Sequence, residues 1–97
     1  MPLSIKQVAM ALGIDEEELE RRALRALLMD ELRRVRAEKA SILIKYKKHG
    51  VKTFKDLLNL VEKDVISDVD AHDDLIRLDY LEHREEELEK LLKELGQ

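Results

Sequence analysis

Residues able to do chemistry gather in three stretches of this 97-residue chain. The densest is DVDAHDD, Asp68 to Asp74, where carboxylates surround His72. Asp68 and Asp70 match the start of a calcium loop. Such a loop also needs glycine at its sixth position for the sharp turn and a bidentate Glu at its twelfth. Those places hold Asp73 and Asp79. Acids before and inside the first turn of a helix have a simpler use as caps and as partners of the helix dipole. His83 stands at helical spacing from Asp79 and Glu86, yet the Glu-x-x-His pair of di-iron bundles is absent. No metal and no cofactor are expected.

The second stretch is basic: Lys45, Lys47, Lys48, His49, Lys52 and Lys55. It could meet phosphate or RNA, but it lacks the aromatic, glycine-rich or arginine-dense surroundings of a nucleic-acid site. Basic residues before Gly50 read more simply as the end of a helix that faces the acidic stretch. Catalysis has still less to stand on. The chain has no cysteine, no glycine-rich phosphate loop and no nucleophile motif, and Ser4, Ser41 and Ser67 fit caps or helix surface. The expectation is a protein that is not an enzyme.

The third stretch, VAMALGIDEEELERRALRALL, scans like a DNA-reading helix-turn-helix, with small Ala9, turn Gly13 and packing Leu19. A recognition helix begins with Arg, Lys, Asn or Gln, where it meets bases and phosphates. This one begins Asp15, Glu16, Glu17, Glu18, and Glu20 follows, so a polyanion would be repelled. The motif is local geometry, and nucleic acid is not the expected partner.

The elements that must position these residues are all helical. Proline occurs only at position 2 and glycine only at 13, 50 and 96, so long helices can run unbroken. Ser4 with Gln7 makes a capping box, stapled by Leu3 and Val8, and opens a short helix over 5–12. Asp15 caps the next, with Glu18 at its third position. That helix meets no stop until Lys47, Lys48, His49 and Gly50, which predicts a helix over 16–48. Thr53 with Asp56 caps a short connecting helix over 54–62. The stretch KDVISDVDAHDD reads as a loop or ragged turn with Ser67 or Asp70 as caps, and a last helix follows over 72–95. The expected fold is one all-α domain built on a long antiparallel, coiled-coil-like hairpin.

Two apolar rows write the register. The long helix carries Leu28, Leu32, Val35, Lys39, Ile42 and Tyr46 in 4-3-4-3 spacing; the last carries Leu78, Leu81, Glu85, Leu88, Leu92 and Leu95. Each row holds one charged intruder. Folded antiparallel and matched end to end, the rows set Lys39 opposite Glu85, predicting a register pair whose worth lies in alignment more than in stability. Charge points the same way. Residues 1–55 carry 13 Lys and Arg against 8 Asp and Glu, whereas residues 56–97 carry 5 against 14, so two oppositely charged halves attract when the chain folds back.

Something is left over. Ahead of Leu28 the helix stays apolar at Leu19, Ala23, Leu24, Ala26 and Leu27, where the last helix is expected to have ended. The short first helix covers one side only. Leu19, Ala23, Leu24 and Leu27 are therefore the expected interface, awaiting a second copy or another protein. No signal peptide or membrane-length apolar run is evident, which places the chain as soluble and cytoplasmic with no membrane role. Side-chain amides are limited to Gln7, Asn59 and Gln97 beside dense Glu, Lys and Arg, a thermophile-like composition.

The segment KYKKHGVKTFKDL, followed by DAHDDLIRLDYLEHREEELEKLLKEL, resembles small charged helical proteins of archaea and some bacteria, described in part as antitoxin-like partners of VapBC-type ribonuclease toxins. The resemblance covers about residues 20–95 and implies a binding protein. An N-terminal ribbon strand, the DNA-binding arm of such antitoxins, is not evident here, and Lys47, Lys48 and His49 lengthen the turn. Three functions are thus carried forward: an antitoxin-like protein-interaction module, a self-associating helical homodimer, and, last, a nucleic-acid binder.

Overall fold

The computed structural model describes residues 2–96. The chain starts with α1 (Ile5–Leu12) and α2 (Glu16–Leu43), passes through a 3-10 helix (Ile44–His49), and ends with α3 (Phe54–Glu62) and α4 (Asp68–Gly96). No strand occurs among the described residues. α2 and α4 pack against each other as an antiparallel hairpin, α3 lies on α4 at the closed end, and α1 folds back on the start of α2.

Local chemistry sets most of the boundaries. Ser4 Oγ accepts the Gln7 backbone N–H at 3.1 Å while Gln7 Oε1 accepts that of Ser4 at 2.9 Å, a reciprocal capping box. Asp15 accepts from the Glu18 backbone at 2.8 Å, and Thr53 and Asp56 close the same reciprocal pair at the start of α3. Gly13 ends α1 in the left-handed region at φ 71°, and Gly50 ends the 3-10 helix at φ 77°.

Two expected boundaries are corrected. The long helix does not stay α-helical to residue 48: its last turns tighten to 3-10 geometry from Ile44, a common way for a helix to use its final carbonyls. The last helix begins at Asp68, not at 72, so half of the expected loop is helical. Asp68 and Asp70 lie in its first turn, where the dipole favours anions, and Ser67 stands just before it. The reversal itself is made by Asp64 at φ 59°.

The core is one cluster along the hairpin seam, continued at the closed end by Val51, Leu57, Ile66 and Ala71. Leu32, Val35 and Ile42 of the first row are buried, as are Leu78, Leu81 and Leu88 of the second, while Leu28, Tyr46 and Leu92 pack partly buried against them. The molecule is long and thin, 60 × 30 × 19 Å with a radius of gyration of 19.4 Å. A compact domain of this length has a radius of gyration of about 13 Å.

Candidate interaction surface

The charged middle of the hairpin fixes how the two long helices align, and hence what stands at its open end. Lys39 Nζ lies 2.6 Å from Glu85 Oε1 and 2.6 Å from Glu82 Oε1, with the Lys39 and Glu85 side chains only 16% and 17% exposed. Arg36 Nε donates to Glu85 Oε2 at 2.9 Å, and its Nη2 reaches Glu89 at 3.3 Å. Glu85 is thus held from two sides. The Lys39 hydrogen bond brings its carboxyl below the ordinary value, outweighing the opposing effect of burial. Burial pulls the Lys39 ammonium down, but the bonds to Glu82 and Glu85 prevail and leave it raised. No buried side-chain polar atom lacks a partner among the described residues.

Further pairs tie the helices toward the closed end. Arg77 forks onto Glu38, with Nη2 to Oε1 at 2.8 Å, and its guanidinium lies 4.9 Å from the centroid of the Tyr80 ring. Tyr46 donates its hydroxyl to Asp74, which also accepts from Lys45 at 3.2 Å. Burial, then the Asp74 hydrogen bond, pushes the Tyr46 phenol up to about 12. The acidic stretch is therefore partly committed to the fold. Among the described residues no group of three or more His, Asp and Glu could hold a metal ion.

The open end is different. Leu24 and Leu27 are 51% and 57% exposed, and Leu91 of α4 is 41% exposed beside them. With Leu28 and Leu95 they line an apolar groove between the two helices, edged by Glu94. Of the expected interface residues, Ala23, Leu24 and Leu27 are exposed and Leu19 is half-buried. One detail of the expectation changes: the end of α4 does not stop short of this surface. Gly96 lies against Arg25, and Leu95 reaches Leu24, so α4 forms one wall of the groove. Leu91 joins the surface although it sits one step off the Leu88–Leu92–Leu95 seam. Its place on that flank, like that of Leu24 and Leu27 on α2, was the available signal.

Apolar exposure continues onto α1, where Leu3, just ahead of the helix, and Ile5, Met10 and Leu12 are all exposed and only Ala9 is buried. Charge surrounds the groove. Asp15, Glu17, Glu18 and Glu20 with Arg21 form the neighbouring hollow at the start of α2. Carboxylates there would repel a nucleic-acid backbone. No helix among the described residues is long and apolar enough to cross a membrane.

The fold and this surface define an all-α helical-hairpin protein with an unpartnered apolar end. The chain belongs to the Uncharacterized protein MJ0235 family, whose model matches residues 1–97. No curated protein and no solved structure matches it.

Proposed function

We propose that the chain is a non-enzymatic protein–protein interaction module whose docking site is the open end of the hairpin. The observation that carries this reading is the groove between the two helices, where Leu24, Leu27 and Leu91 are gathered at 51%, 57% and 41% exposure beside the partly buried Leu28 and Leu95. Burying a leucine fully is worth about 1.5–3 kcal/mol, so leaving this set in water forgoes several kcal/mol that a partner chain would recover. The elongated shape supports the same reading, since a thin hairpin closes less of its own apolar surface than a compact domain. The antitoxin-like form of the proposal, a partner of a ribonuclease toxin, draws on the resemblance over residues 20–95.

The test pairs the unsubstituted chain with Leu24→Glu/Leu27→Glu, tagged and recovered from the source cells with and without nuclease. Both changes are on exposed positions, so circular dichroism and thermal melting should show a folded hairpin. A stoichiometric, nuclease-resistant association, with itself or with another protein, should vanish in the variant. Persistence of the association in the variant overturns the assignment of the site. A chain that is monomeric and unaccompanied in both forms overturns the function.

A further inference from the structure

The charge order along α2 identifies what fits its open face. From the start, the helix is acidic over Asp15–Glu20, basic at Arg21, Arg22 and Arg25, and apolar at Leu24 and Leu27. It then turns acidic at Asp30 and Glu31, and basic at Arg33, Arg34 and Arg36. The order is minus, plus, leucine, minus, plus. Read backwards it is plus, minus, leucine, plus, minus. The segment is therefore its own electrostatic complement when it runs antiparallel. A parallel copy in register would set like on like, and a slid one would part the leucines. Resting on the docking reading above, we infer that the occupant of the groove is a second copy of the chain, its α2 antiparallel across a two-fold axis between Leu24 and Leu27.

In that arrangement Leu24 lies opposite Leu27 of the second copy, and Glu17 opposite Arg34. Arg21 faces the acidic step at Asp30 and Glu31. Glu17, Arg21 and Glu31 make no ion pair within the chain among the described residues, whereas their neighbours Glu18 and Asp30 are engaged by Arg22 and Arg34. Of the charges the second copy would meet, Glu17, Arg21 and Glu31 are uncommitted, while Arg34 and Asp30 already hold each other at 3.2 Å. One apposition is adverse, Glu20 to Glu31, and Arg21 and Arg34 flank it. Each α2 lies in the α2–α4 groove of the other copy, so Leu91 closes over the new seam. Two hairpins joined this way make a local four-helix bundle with a self-complementary interface.

The absence of cysteine makes the test clean, because each introduced thiol is unique. Glu17→Cys and Arg34→Cys chains are prepared separately, mixed and oxidised. The two-fold arrangement sets position 17 beside position 34 of the other copy, while two positions 17 stand roughly 25 Å apart at 1.5 Å per residue, beyond disulfide reach. The expected result is a mixed 17–34 disulfide and no 17–17 product. A 17–17 product, or no cross-link from a dimeric chain, overturns the antiparallel register. A charge exchange checks the result without thiols. Glu17→Arg and Arg34→Glu should each weaken the dimer at least tenfold, and mixing the two variants should restore it as a heterodimer. If the unsubstituted chain is monomeric at 100 µM yet Leu24→Glu/Leu27→Glu abolishes binding of another protein, the second copy is wrong and the docking site stands. If both tests are negative, the docking site falls too.

Discussion

Removing Glu85 tests whether the charged pair in the middle of the seam holds the two long helices. Lys39 and Glu85 are about five-sixths covered, and their atoms are 2.6 Å apart. Breaking a fully buried pair by deleting one partner costs about 3–5 kcal/mol, and breaking an exposed one about 0–1 kcal/mol. Here Lys39 keeps Glu82 at 2.6 Å and Arg36 keeps Glu89, so the loss falls between those limits. Glu85→Ala should cost about 2 kcal/mol, a fall of roughly 8–16 °C in melting temperature for a chain of this size. A cycle with Lys39→Ala and the double variant, read by urea denaturation, should give a coupling of about 1–2 kcal/mol. Replacing both residues by leucine should be neutral or stabilising, because desolvation of the charges is relieved. The pH dependence has a definite sign. The carboxyl of Glu85 is held below its ordinary value of 4.5, so its contribution is present above that pH and is lost as pH falls through the depressed folded-state value. Glu85→Ala should flatten that acid limb. A coupling near zero, with an unchanged acid limb, would refute the assignment of register to this pair.

The remaining expectations concern packing, backbone and the tyrosine. Leu78→Ala, at a fully buried position, should cost about 2–5 kcal/mol in chemical denaturation, against near-neutrality of Leu24→Ala in a monomeric state. Asp64→Gly should stabilise by about 0.5–1 kcal/mol by relieving the left-handed backbone at φ 59°, visible as a higher melting temperature. The Tyr46 phenol should titrate in the ultraviolet near pH 12. Its contribution to stability is full below the ordinary value of 10 and is lost as pH rises through about 12; Tyr46→Phe should remove that alkaline loss.

Much of the hairpin was legible because its signals are local or periodic. Capping boxes at Ser4 and Thr53 and the glycines at 13 and 50 mark ends through bonds of three or four residues. The two heptad rows show their charged intruders at matching places, so the meeting of Lys39 and Glu85 needed only the antiparallel rule. Three features were not legible. Asp68, Asp70 and Ser67 are poor helix formers in the interior, and their fitness for a first turn depends on where the helix starts. The 3-10 ending at Ile44–His49 differs from α-geometry by small energies that the apolar pattern does not encode. Arg36, Glu38 and Arg77 lie outside the seam rows, and their pairing depends on side chains long enough to reach across its flanks. The apolar excess at Leu24 and Leu27 is readable as unpartnered, but its second wall at Leu91 and Leu95 depends on how the two helices sit side by side, which the seam rows alone do not state.

Native mass spectrometry of the chain isolated from its own cells, beside Leu24→Glu/Leu27→Glu, tests the docking claim most directly. The expected result is a particle heavier than one chain that falls to a single chain's mass in the variant, with helical content unchanged. Equal masses for the two forms would contradict it.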